Sequence, residues 1–123
     1  MYYRAARKKA LSNGDIFHIA ALLFRRGKLV TIGVNSVSTR SNFFRFYTST
    51  DPHHKNGSSC LAHAEMMALE FANPGDELRV VRWRRDNGER SVAKPCVHCQ
   101  RRIDNIGGIK VYYTNSDGEW AKL

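Results

Sequence analysis

The stretch HIAALLFRRGKLVTIGVNS, His18 to Ser36, decides how the chain folds. Apolar runs at Phe17 to Phe24 and Leu29 to Val34 flank the turn Arg26-Gly27-Lys28, and β-formers on either side of a short glycine-containing break are the pattern of a hairpin. Both runs are mostly apolar, so the expectation is two strands buried within a sheet. Upstream, YYRAARKKALS from Tyr2 to Ser12 is rich in helix formers, spaces Ala5, Ala6, Ala10 and Leu11 helically, and stops at Asn13-Gly14. Downstream, residues 36 to 59 lack a period and read as a long loop in which Phe43, Phe44, Phe46 and Tyr47 are embedded. A second helix is expected from about Cys60 to Ala72, with Leu61, Ala64, Met67/Ala68 and Phe71 on one face and Asn73-Pro74-Gly75 as its stop. Leu78 to Trp83 then reads as a third strand, and Arg84 to Ala93 as a basic polar arm turning at Asp86-Asn87-Gly88. A third helix should begin at Pro95-Cys96 and run to about Ile106 before Gly107-Gly108. Ile109 to Thr114 reads as a fourth strand, and the turn signal Asn115-Ser116-Asp117-Gly118 folds Glu119 to Leu123 back as a short antiparallel fifth. This order predicts an α/β chain: a three-layer α/β/α domain with a central mixed sheet of about five strands and helices on both faces.

At 123 residues and 14.0 kDa, the chain suits one domain spanning 1 to 123 rather than two. Hydrophobic residues at 42% and charged residues at 25% exclude disordered and collagen-like classes. The apolar run Ile19 to Phe24 is far too short to span a bilayer, which points to a cytoplasmic protein. Lys and Arg exceed Asp and Glu by 20 to 11, giving +9, a balance that favours phosphate-bearing partners, from nucleotide to nucleic acid, without choosing among them. Cys60, Cys96 and Cys99 cannot all pair within the chain, so metal or redox chemistry is favoured over a disulfide framework.

The residues that carry chemistry are His63-Ala64-Glu65 and Pro95-Cys96-Val97-His98-Cys99, which read H-x-E and P-C-x-x-C. One imidazole and two thiolates supply three zinc ligands and leave the fourth tetrahedral position for water, the arrangement of a catalytic site. Cysteines at i and i+3 share a helix face, and a helix N-terminus lowers thiol pKa, so Cys96 and Cys99 are placed to bind as thiolates. Glu65 is the carboxylate left over. A thioredoxin-like redox pair and a closed structural zinc site, with Cys60 or His98 as fourth ligand, are the rival readings of the same cysteines.

H-x-E with P-C-x-x-C is the signature of zinc nucleobase deaminases. On it, and on GVNS (Gly33 to Ser36), LAHAEMMAL (Leu61 to Leu69), AKPCVHCQR (Ala93 to Arg101) and VYYTNSDG (Val111 to Gly118), the chain resembles the cytidine and deoxycytidylate deaminase superfamily, and within it the small deoxycytidylate-deaminase-like proteins of bacteriophages. The resemblance implies zinc held by His63, Cys96 and Cys99, with Glu65 as the proton shuttle. It also implies hydrolytic deamination of a cytosine nucleoside or nucleotide, dCMP to dUMP in the leading expectation, by a homo-oligomer in the host cytoplasm. Asn35 would meet the sugar or base edge of the substrate, and Ala64 and Pro95 would line the base pocket; Asn35 also reads simply as a turn asparagine. Some deoxycytidylate deaminases hold a second zinc before the H-x-E helix, for which His53, His54 and Cys60 are the candidates here; otherwise this is a polar loop with a buried cysteine. The antiparallel final strand resembles free-nucleoside deaminases more than polynucleotide or deoxycytidylate types.

Several features stay double-edged. RSNFFRFY, Arg40 to Tyr47, suits either a substrate lid or packing, and the basic arm suits either a solvated face or a phosphate site. His98 reads as exposed or capping, Met66 and Met67 as core, and Arg4, Arg7, Lys8 and Lys9 as surface charge. Three alternatives to a cytosine nucleotide deaminase remain: a deaminase of single-stranded nucleic acid, a non-catalytic zinc-containing nucleic-acid-binding module, and a purine or modified-base deaminase with the same zinc chemistry.

Overall fold

The computed structural model describes residues 2–12, 18–35, 63–84 and 86–123. The helix α1 spans Tyr2–Leu11 and is followed by the strands β1, His18–Arg25, and β2, Lys28–Val34. Arg26 and Gly27 both take positive φ, at 54° and 78°. Two such residues form the tight turn whose twist matches a hairpin, and glycine adopts the second without a steric clash. The helix α2 spans Ala64–Leu69, and β3 spans Glu77–Trp83. A two-residue strand β4, Arg90–Ser91, precedes the helix α3, Val97–Ile106. The strands β5, Lys110–Thr114, and β6, Trp120–Lys122, close the chain.

The strands form one mixed sheet in the order β2-β1-β3-β5-β6, with β4 paired to β3 off this path. The β3–β5 pair is parallel and the other pairs are antiparallel, β5–β6 included, as the closing turn signal anticipates. Alternation along the strands separates two cores. Ala21, Leu23, Leu78, Val80 and Val111 face Ala64, Ala68 and Leu69 of α2 and Ile103 of α3. Ala20, Leu22, Phe24, Val81 and Trp83 face Ala6 and Ala10 of α1. Helices therefore cover both faces, and the three-layer α/β/α arrangement is the observed one.

The structure corrects the sequence reading at four places. Among the described residues the sheet has six strands rather than about five, because the backbone of Arg82 and Trp83 pairs with Ser91 and Arg90 inside the segment expected to be a polar arm. β2 is an edge strand and mostly half-exposed, whereas the expectation is burial for both strands of the hairpin. α2 stops at Leu69, before the expected Ala72: Phe71 and Ala72 donate to the carbonyls three residues back, tightening the chain out of α geometry. Phe71, expected on the buried face, is consequently 56% exposed. His98, expected at the surface or as a cap, is buried at 2% exposure. Met66 is buried and Met67 half-buried, while Arg4, Arg7, Lys8 and Lys9 are exposed, as expected. His53, His54, Cys60 and the segment Arg40 to Tyr47 lie outside the described residues.

Candidate metal centre

Gly33 sets the depth at which α2 lies on the sheet. A Cβ there would overlap the Ala64 carbonyl oxygen and stand 2.7 Å from the Ala68 nitrogen and 2.9 Å from Met67 Cβ, so the helix backbone rests directly on β2. Only glycine tolerates that approach. At the other end of the helix, Arg25 donates from Nε to Asp76 Oδ1 at 3.0 Å and from Nη2 to Asp76 Oδ2 at 2.9 Å and to the Phe71 carbonyl at 2.9 Å. Asp76 also accepts from the Asn73 N–H at 2.9 Å, so its carboxylate pins the turn after α2 to the end of β1. These hydrogen bonds hold the Asp76 carboxyl below its ordinary pKa, Arg25 contributing most.

α3 is placed by the segment that enters it. Thr114, wholly buried at the end of β5, donates from Oγ1 to the Ser91 carbonyl at 2.5 Å and accepts the Arg82 N–H at 3.4 Å. Its own carbonyl accepts the Ala93 N–H at 2.8 Å. Beyond this latch the chain reaches Pro95, whose carbonyl accepts from Gln100 Nε2 at 2.8 Å, and then Cys96, the N-cap of α3.

Three donor atoms from the two helix starts converge. His63 Nδ1 lies 3.4 Å from Cys96 Sγ and 3.4 Å from Cys99 Sγ, and the two sulfurs are 3.7 Å apart. A tetrahedral zinc with bonds of about 2.3 Å to sulfur and about 2.05 Å to nitrogen requires sulfurs about 3.8 Å apart and each sulfur about 3.6 Å from the nitrogen. The observed triangle fits that ion within a few tenths of an ångström, and the soft N/S donor set is the one zinc prefers. His63, Cys96 and Cys99 are the one such group among the described residues that can hold a metal ion. His98, on the same helix, is not a member.

Electrostatics agree with the geometry. Cys96 is drawn down to about 3, chiefly because its thiolate shares a hydrogen bond with Cys99 and then because of His63, against the opposing effect of burial. Cys99 is pushed up by the same hydrogen bond, by burial and by the Glu65 carboxylate. Glu65, in the first turn of α2 and only 5% exposed, has its pKa raised by desolvation, with His63 acting against the rise. A carboxyl kept dry beside His63, Cys96 and Cys99 is suited to taking up and giving back a proton.

The remaining expected site residues are placed less directly. Asn35 follows β2 and is buried; its Oδ1 accepts the Ile19 N–H at 2.9 Å, and its own N–H donates to the Ile19 carbonyl at 3.2 Å. It therefore stands two residues beyond Gly33 on the sheet face that carries α2 and α3. Ala64 is wholly buried beneath Gly33, and Pro95 is buried before Cys96. Sequence reading passes over Arg82. It pairs with Ile19 across the strands, on the same face and at the same end of the sheet as Asn35, a place that becomes visible only once the register of β1 on β3 is known.

No family model matches the chain, and no curated protein matches it. Among solved structures it is similar to the crystal structure of dCMP deaminase from the cyanophage S-TIM5 in apo form. The TM-score is 0.50 and the identity 24%, over 93% of this chain and 82% of that one. The likeness is one of fold, carried by the mixed sheet and the helices on its two faces.

Proposed function

We propose that the chain is a zinc-dependent hydrolase that deaminates a cytosine nucleotide, dCMP to dUMP, releasing ammonia. The observation that carries this reading is the triangle of His63 Nδ1, Cys96 Sγ and Cys99 Sγ with buried Glu65 beside it. Zinc, when bound, lowers the pKa of a water toward about 7 and so makes a nucleophile available at neutral pH. Glu65 accepts a proton from the attacking water and delivers it to the pyrimidine ring nitrogen as the carbon–oxygen bond forms at C4. It then carries the second proton to the amino group, the C4–nitrogen bond breaks, and ammonia departs with uracil left behind. Its burial makes the protonated state accessible, and both transfers need that state. Asn35, held by Ile19, orients the substrate, while Ala64 and Pro95 form the wall against the base.

The antiparallel β5–β6 pair supports a free substrate over a polynucleotide, and among free substrates it favours a nucleoside and runs against dCMP. The net charge of +9 supports the second reading, a deaminase of single-stranded nucleic acid. Ammonia release by the zinc form against cytidine, deoxycytidine, their mono- and triphosphates and a short single strand separates the two. Turnover of dCMP alone is expected; turnover confined to the strand selects the second reading, and zinc binding without turnover selects a non-catalytic module. Glu65→Gln should keep stoichiometric zinc and lose about 10³-fold or more in rate, and a variant turning over at the parent rate removes Glu65 from the chemistry. A homo-oligomer in the cytoplasm belongs to the same reading, and light scattering of the purified zinc form tests the assembly.

A further inference from the structure

The sheet face that carries α1 lies on the far side of the sheet from the metal centre and is made of different material. Two clefts open on it, of about 570 Å³ and about 450 Å³, and Tyr3 lines both. Arg4, Arg7 and Arg90 line the first; Arg26, Arg79 and Lys110 line the second. Against these six cations stand three carboxylates, Glu89, Asp117 and Glu77, and Glu77 is already held by Arg79 at 2.7 Å. Flat rings accompany the charge. Tyr2 is 44% exposed and meets Phe24 edge-on at 5.7 Å. Tyr3 packs on Trp120 at 5.6 Å, and the Arg90 guanidinium lies over the Tyr3 ring at 5.3 Å.

We propose that this face is a docking groove for single-stranded nucleic acid, separate from the reaction site. Both clefts are open to solvent and share Tyr3 as a common wall, which suits an extended polymer; a small ligand is held by a closed, largely apolar pocket. Arg4 and Arg7 are exposed and one turn apart on α1, placed to follow successive phosphates. Tyr2, exposed at the start of α1, offers ring surface on which an unpaired base stacks, an interaction that a duplex cannot make without unpairing. The inference goes beyond the deaminase reading and does not depend on it.

The test is fluorescence anisotropy of a short labelled oligothymidylate with the full-length zinc-loaded protein over a range of salt. Arg4→Gln with Arg7→Gln should raise Kd about tenfold and reduce the steepness of the salt dependence by about 0.7 for each phosphate that the variant no longer neutralises. Lys94→Gln with Arg101→Gln removes the same charge before and within α3 and should leave Kd unchanged. Unaltered zinc content in both pairs certifies the fold. Four results overturn the proposal: no binding by the parent protein, equal weakening by the two pairs, weakening by the Lys94 and Arg101 pair alone, or equal affinity for a duplex of the same length.

Discussion

The two faces of the sheet are packed by opposite means. On the α2 and α3 side the residues at the junction are small, with Gly33, Ala21, Ala64 and Ala68 bringing helix backbone against strand backbone. On the α1 side large rings and guanidinium groups interleave: Arg79 lies over Tyr112 at 5.2 Å and Trp120 at 5.3 Å, and Arg90 over Trp120 at 5.7 Å and Tyr3 at 5.3 Å. Close approach transmits position, so the first face can bring ligand atoms from two helices within 4 Å of each other. A layer of flat cationic and aromatic groups tolerates small shifts and keeps polar edges near water. The candidate metal ligands stand on the first face, and the broad charged surface is displayed on the second.

The contrast is broken most completely at the ligands. Cys99→Ser should release the metal and with it all turnover while leaving the α1 face intact, read by metal analysis together with near-ultraviolet circular dichroism of the tryptophans. Gly33→Ala comes next: the added methyl meets helix backbone, which cannot yield as a flexible side chain can, and stability in denaturant unfolding should fall by about 3 kcal/mol, along with metal affinity.

Asp76→Asn should cost about 2 kcal/mol at neutral pH, because a buried carboxylate that accepts from Arg25 and Asn73 becomes an amide able to satisfy only part of that set. Its sign with pH is fixed by the depressed folded pKa. The advantage of the parent over the variant is present above the unfolded carboxyl value of about 3.9 and disappears as pH falls through the lower folded value. Unfolding curves of both proteins across that range check it. The smallest effect, about 1 kcal/mol, is expected for Thr114→Val, which keeps the shape but removes the donor to Ser91. A larger fall in zinc affinity than in stability would show that this latch serves the approach to Cys96.

The candidate centre is legible in the sequence to an unusual degree because its parts are local. Two cysteines three apart at a helix start, and a histidine two residues before a glutamate at another, carry their mutual geometry in the helix itself. The turns are legible for the same reason, as at Arg26-Gly27 and Asn115 to Gly118. Residues whose role depends on distant partners are not. Arg25 and Asp76 are separated by 51 positions, and nothing near either announces the pair. His98 sits in a polar, basic neighbourhood of sequence yet is buried, since burial follows from which face of α3 meets the sheet.

The sequence by itself determined the donor types, their spacing along each helix, the hairpin turns and the α/β order, because these depend on interactions within a few residues. Tertiary structure alone decided that β2 lies at an edge, that residues 90 and 91 extend the sheet, and that Gly33 sets the depth of α2. It also decided that Arg4 and Arg7 of α1 and Arg90 of the arm gather on the face away from the candidate metal ligands. Strand order and register bring together residues tens of positions apart, and that information is held in the packing of two cores rather than in any one segment.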